Sequence, residues 1–162
     1  GEKKLSSVMS LAMKIFDKLE VSPLTQISNI KIPKLLAEMF EELTLDDFRH
    51  INIEKFLNLK VDWVEKLVYL QYVEQIDDVI AVAPQAIKVE LAKMKELCSQ
   101  MRCENTVLAP MYYSKMLYYD ELFFRVIQDN EEYACGGRYK NEDLTSVGFA
   151  IYTDALCETL TK

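Results

Sequence analysis

The stretch CGGRYKN, from Cys135 to Asn141, sets side by side two of the four glycines in a chain of 162 residues. Neither Gly136 nor Gly137 has a Cβ, so a ligand or a neighbouring strand can approach the backbone closely there. Arg138 follows with a planar fork of N–H donors suited to a carboxylate or a phosphate. Alone, the pattern is better read as a glycine bulge in a strand beside a solvated arginine. Its meaning is set by what flanks it.

On the upstream side lies MYYSKMLYYDELFF, with tyrosines at Tyr112, Tyr113, Tyr118 and Tyr119. Tyrosine joins an apolar ring to a hydroxyl that seeks a partner when buried, so the cluster suits either an aromatic sheet core or a polar pocket wall. Leu117, Tyr119 and Glu121 alternate with Tyr118, Asp120 and Leu122, and the denser LFFRVI that follows reads as a buried strand. QDNEE supplies a turn into EEYACGGRY. Downstream, TSVGFAIYT is a further strand and DALCETL resumes a helix. With NTVLAPM before them, these segments predict that residues 103–162 form a sheet whose last strand runs into a helix.

Residues 32–102 have a different texture. IPKLLAEMFEEL, NIEKFLNL, VDWVEKLVYLQYV and PQAIKVELAKMKELCSQM carry helical periodicity, with Asp46, Asn52 and Asp62 as N-cap candidates, Pro33 in a first turn and Pro84 opening the last helix. Before this block, LTQISNI alternates weakly enough to be a short strand. Leu5, Val8, Met9, Ala12, Ile15, Phe16 and Leu19 share one face of an N-terminal helix ending before Pro23.

Composition narrows the function. A hydrophobic content of 50% supports one ordinary domain, and no run of about 18 apolar residues marks a membrane span. A formal net charge of −7 opposes nucleic-acid binding, which needs clustered Lys and Arg. Cys98, Cys103, Cys135 and Cys157 form no C-x-x-C, and His50 is the single histidine, so no metal site is expected and free thiols in a reducing cytoplasm are. His50 reads as a surface or capping residue. No phosphate loop or Ser/His/Asp constellation occurs.

The order LYYDELFF, CGGRYKN and SVGFAIYTDAL resembles the C-terminal half of the histidyl-tRNA synthetase-like catalytic domain of the class II synthetases. The resemblance implies an α+β fold, an antiparallel sheet with an inserted helical block, across 1–162 as a single domain. The elements that precede this region in the family are missing, so the resemblance implies either a C-terminal fragment of a larger polypeptide or a reduced member, and the helix opening at once from Gly1 favours the fragment. In the family, the tyrosine pair and the Gly-Gly strand line the histidine pocket. Tyr118, Tyr119, Gly136 and Gly137 therefore correspond to a histidine site, with Arg138 ordering its wall.

Two departures stand out. The synthetases' RGLDYY arginine falls at Ser114, and the arginine ending the last signature falls at Ala155, after the acid Asp154. Loss of charge-assisted donors where negative charge develops costs several kcal/mol of transition-state stabilisation. The chain thus looks like a catalytically inert paralogue, of which the regulatory subunit of ATP phosphoribosyltransferase is the best-known kind. That resemblance implies a short-form catalytic subunit as partner, histidine as ligand and feedback inhibitor, no cofactor, and a homo-oligomer within a hetero-oligomer. A divergent histidyl-tRNA synthetase and a ligand-free scaffold are the alternatives. Asp120 and Glu121, in place of the family's threonine and glycine, either bind an ammonium group or close the pocket.

Overall fold

A computed structural model describes residues 2–101, 104–113, 121–141 and 144–152, together with residues 154 and 160. Its elements are α1 (Glu2–Lys18), β1 (Leu24–Asn29), α2 (Lys31–Met39), α3 (Leu45–Arg49), α4 (Ile53–Leu57) and α5 (Asp62–Val68), then a 3₁₀ turn (Val73–Gln75), α6 (Ile76–Ile80) and α7 (Gln85–Ser99). β2 (Thr106–Leu108), β3 (Leu122–Gln128), β4 (Glu131–Asn141) and β5 (Leu144–Ile151) complete them.

The strands form a five-stranded sheet in the order β2-β1-β3-β4-β5. Two features differ from the expected antiparallel sheet drawn from the C-terminal third. The short strand Leu24–Asn29 sits inside the sheet, between β2 and β3, and its pairing with β2 is parallel. A parallel neighbour requires a crossover connection. Here the helical run from α2 to α7 is that connection, so β1 enters and β2 leaves it in the same direction.

The predicted face of α1 is buried at Leu5, Met9, Ala12 and Phe16, and Phe16 stacks on Tyr133 of β4 with ring centroids 6.0 Å apart. Tyr133 lies opposite a register shift between Val126 and Ile127, a β-bulge that places one extra residue on β4. The β3–β4 hairpin turns through Asp129 and Asn130, both at positive φ (51° and 67°), the left-handed pair that suits strand twist in a two-residue turn.

In the helical block, α3 is capped by Thr44 rather than Asp46. The Asp47 carboxylate accepts from the Thr44 backbone N–H at 2.8 Å, which closes a capping box. Lys55 Nζ donates to the same carboxylate at 2.9 Å, and this bond, with the Thr44 contacts, holds Asp47 below the usual carboxylate range against the effect of burial. Asp62 is the first residue of α5, after Val61 at the cap, and Pro84 occupies the cap of α7. His50 is the exposed C-cap of α3. Among the described residues no helix is long and apolar enough to cross a membrane.

Candidate functional site

Strand register divides the sheet into two faces, because paired residues point to the same side and neighbours along a strand to opposite sides. One row is Ile27, Phe124, Gly136 and Phe149. The next is Gln26, Arg125, Cys135 and Ala150, followed by Ser28, Phe123, Gly137 and Gly148. The row of Ile27 faces the helices: Asn29, two residues on, donates to the Glu90 carbonyl of α7 at 3.4 Å. The rows of Gln26 and Ser28 lie on the opposite face. The adjacent glycines therefore serve different sides of the sheet.

At Gly136 the requirement for glycine is steric. A Cβ there would stand 2.6 Å from Phe124 Cε1, 2.6 Å from Phe149 Cβ and 2.7 Å from the Gly148 carbonyl oxygen. The missing side chain lets β3, β4 and β5 close on each other under the helices.

Arg138 shares the helix side with Gly136. Buried to 8% exposure, it donates from Nη1 to Glu121 Oε2 at 2.8 Å. The other Glu121 oxygen accepts from Lys93 Nζ at 3.0 Å and Lys31 Nζ at 3.4 Å, while Lys93 also reaches the buried Glu90 carboxylate at 3.1 Å. Glu121 thus ties α2, α7 and β4 together at the start of β3. Burial by itself would raise its carboxyl, but the hydrogen bonds and charges of Lys93 and Lys31 outweigh that and hold it below the ordinary glutamate range. Lys93 moves the other way: desolvation lowers it, and its bonds to Glu121 and Glu90 raise it further than that.

Of the residues picked out by sequence, Gly136, Gly137 and Arg138 lie in β4 as described. Tyr118, Tyr119, Asp120, Ser114 and Ala155 lie outside the described residues, and Asp154 is an exposed helical residue. The Glu121 carboxylate is engaged by three cations. Tyr113 is buried in the core and Tyr112 packs on Phe123 with centroids 5.8 Å apart.

The opposite face carries polar groups that the sequence reading passed over. Arg125 donates from Nε and Nη2 to Gln26 Oε1, and its guanidinium carbon sits 4.0 Å from the centre of the Tyr112 ring. Glu132 lies 3.8 Å from Arg125 Nε, and burial raises its carboxyl despite the nearby guanidinium. Cys135 Sγ and Tyr152 Oη are 3.0 Å apart, and this bond, burial and Glu132 together push the Tyr152 phenol up. The available signal was Arg125 itself, a lone charge inside the apolar run LFFRVI.

No family model matches the sequence. The chain is 33% identical over 162 residues to an ATP phosphoribosyltransferase regulatory subunit of Wolinella succinogenes, covering all of this chain and 56% of that protein. It thus spans little more than half of this relative's length. In structure it is similar to an ATP phosphoribosyltransferase regulatory subunit/histidyl-tRNA synthetase from Bacillus halodurans, with a TM-score of 0.81 and 16% identity over 98% of this chain and 50% of that one. It is also similar to a chain of an ATP phosphoribosyltransferase (HisG:HisZ) complex from Thermotoga maritima, with a TM-score of 0.62 and 16% identity over 90% of this chain and 60% of that one. The chain shares the histidyl-tRNA synthetase-like fold of these structures, and in sequence it is similar to ATP phosphoribosyltransferase regulatory subunits over 56% of the length of the relatives it matches.

Proposed function

We propose that this chain acts as part of a non-catalytic regulatory subunit of ATP phosphoribosyltransferase, supporting a short catalytic subunit and its feedback control by histidine. The observation that carries the reading is the alignment of all 162 residues, at 33% identity, with a regulatory subunit. The similarity in fold to a chain of a HisG:HisZ complex supports a catalytic subunit as partner. Ser114 and Ala155, standing where the synthetases have arginines, agree with a protein that does not activate an amino acid.

In this reading Tyr118, Tyr119 and Gly137 border the histidine site, while Gly136, expected there from the sequence, instead closes β3, β4 and β5 on the helix side. Arg138 works from the helix side, through Glu121, to hold the strand that follows the tyrosine pair. Histidine bound there would change transferase activity through a coupling free energy between the two sites.

The test is to titrate the protein into short-form catalytic subunit and follow phosphoribosyl transfer. Activity is expected to rise to a stoichiometric plateau and to become sensitive to histidine. Activity unchanged across the titration overturns the reading. Histidine-dependent ATP–pyrophosphate exchange by this protein would overturn its non-catalytic part.

A further inference from the structure

The face of the sheet turned away from α1 and α7 holds a wide groove of about 720 Å³ that the regulatory reading does not use. It is lined by Ser22, Leu24, Arg125, Ile127, Gln128, Asp129, Asn130 and Glu132, at the end of the β3–β4 hairpin. Both signs of charge meet there.

Arg125 is held ready for a ligand. Gln26 takes its Nε and one Nη2 proton, and the Tyr112 ring covers one flat side of the guanidinium. A guanidinium has five N–H donors in a fixed fork, so donors remain for a planar acceptor. The neighbouring carboxylate does not take them, because Glu132 stands 3.8 Å from Nε, beyond hydrogen-bond length.

The negative side of the groove is equally unfinished. Burial pushes the Glu132 carboxyl up, against the charge of Arg125 and a hydrogen bond from Tyr152. Gln128 lines the same groove, and its Oε1 is buried and accepts no hydrogen bond. A buried acceptor without a donor is unfavourable, and a bound N–H group would satisfy it. Asp129 adds a further carboxylate at the rim.

A lone anion would meet Glu132 and Asp129, and a lone cation would meet Arg125. A ligand with a carboxylate and an ammonium one carbon apart satisfies both. We propose that this groove binds the head group of a free α-amino acid, with Arg125 on the carboxylate and Glu132 and Gln128 Oε1 on the ammonium. The site lies on the face opposite Arg138, and it is recognised from its own charges whether or not the chain regulates a transferase.

The test uses the protein as it stands. The Nε–Hε resonance of Arg125 is followed by NMR while each of the twenty common amino acids is added, with histamine and N-acetyl-L-histidine as probes lacking one charge. At least one amino acid is expected to shift that resonance. It should bind at least tenfold more tightly than its decarboxylated amine and its N-acetyl derivative. In calorimetric titrations, which do not depend on the Arg125 resonance, Arg125→Gln should abolish the first preference and Glu132→Gln the second. No shift with any amino acid overturns the proposal, a result that needs no variant to fold. Histidine binding that ignores both substitutions also overturns it, while leaving a site at Tyr118 and Tyr119 standing. Another amino acid held through Arg125 and Glu132, with histidine silent, supports the groove and leaves a histidine site at Tyr118 and Tyr119 standing.

Discussion

Gly136 and Gly137 are neighbours in sequence, yet the two faces they serve are built on opposite principles. On the helix side, charge is concentrated and joined in one ion-pair cluster: Arg138, Lys93 and Lys31 converge on Glu121, with Glu90 behind them. On the other side, polar groups are spread out and incompletely paired, with Arg125 and Glu132 at 3.8 Å and Gln128 Oε1 accepting nothing. The first arrangement locks elements together, and the second leaves capacity for something to bind.

The most severe way to break this contrast is Glu121→Ala. It would leave Arg138, with 10% side-chain exposure, and Lys93 facing one another without their shared anion. Removing one partner of a buried ion cluster costs about 3–5 kcal/mol. Glu121 keeps 15% side-chain exposure, so the lower end, about 3 kcal/mol, is expected from urea unfolding midpoints. A loss below about 0.5 kcal/mol would mean that the cluster behaves as ordinary surface pairs.

Gly136→Ala comes next. The added methyl meets a strand carbonyl and the Cβ of Phe149, neither of which can swing aside as a flexible side-chain end would. Overpacking of this kind costs about 1–3 kcal/mol. The same urea experiment reads it, and a neutral result would show that β5 can move away from β4.

How much of this was legible in the sequence depended on how local the signal was. The amphipathic stripe of α1 and the turn and strand pattern after residue 121 are written in neighbouring residues, and they appear in the structure. β1 was faint because Gln26, Ser28 and Asn29 are polar residues in a strand inside the sheet. Their reason is non-local: Gln26 accepts from Arg125, 99 residues away, and Asn29 donates to Glu90, 61 residues away. The parallel pairing of β1 with β2 was hidden for the same reason, since nothing near residue 24 announces a partner at residue 106. In the candidate site, the glycine pair stood out by composition. That Arg138 faces the helices follows only from counting residues along a strand whose start is known.

A smaller effect tests the less satisfied face. Gln26→Leu deprives Arg125 Nε and Nη2 of their acceptor, but the arginine side chain keeps 23% exposure and water can reach it. A cost of about 1 kcal/mol is expected in unfolding experiments. In NMR spectra the Arg125 Nε–Hε signal should sharpen or move as the guanidinium gains freedom over the Tyr112 ring. An unchanged signal would show that ring stacking alone fixes it.

The subtlest prediction sets the two faces against each other by pH. Glu121 has its folded pKa lowered, so its ionised form adds stability that is complete above the unfolded value of about 4.3 and is lost as pH falls through the folded pKa. Glu132 has its folded pKa raised, so its charge costs stability at neutral pH, and acidification through that pKa relieves the cost. Glu121→Gln should therefore destabilise at pH 7, with the deficit shrinking only once the pH drops below the ordinary glutamate range. Glu132→Gln should be neutral or stabilising at pH 7, with its advantage fading at higher pH than the Glu121 deficit does. Urea midpoints for both variants and the parent between pH 7 and pH 3 separate the curves. If both differences change in the same direction, the charges of the two faces are not organised oppositely, and the unfinished character assigned to the Arg125 side is lost.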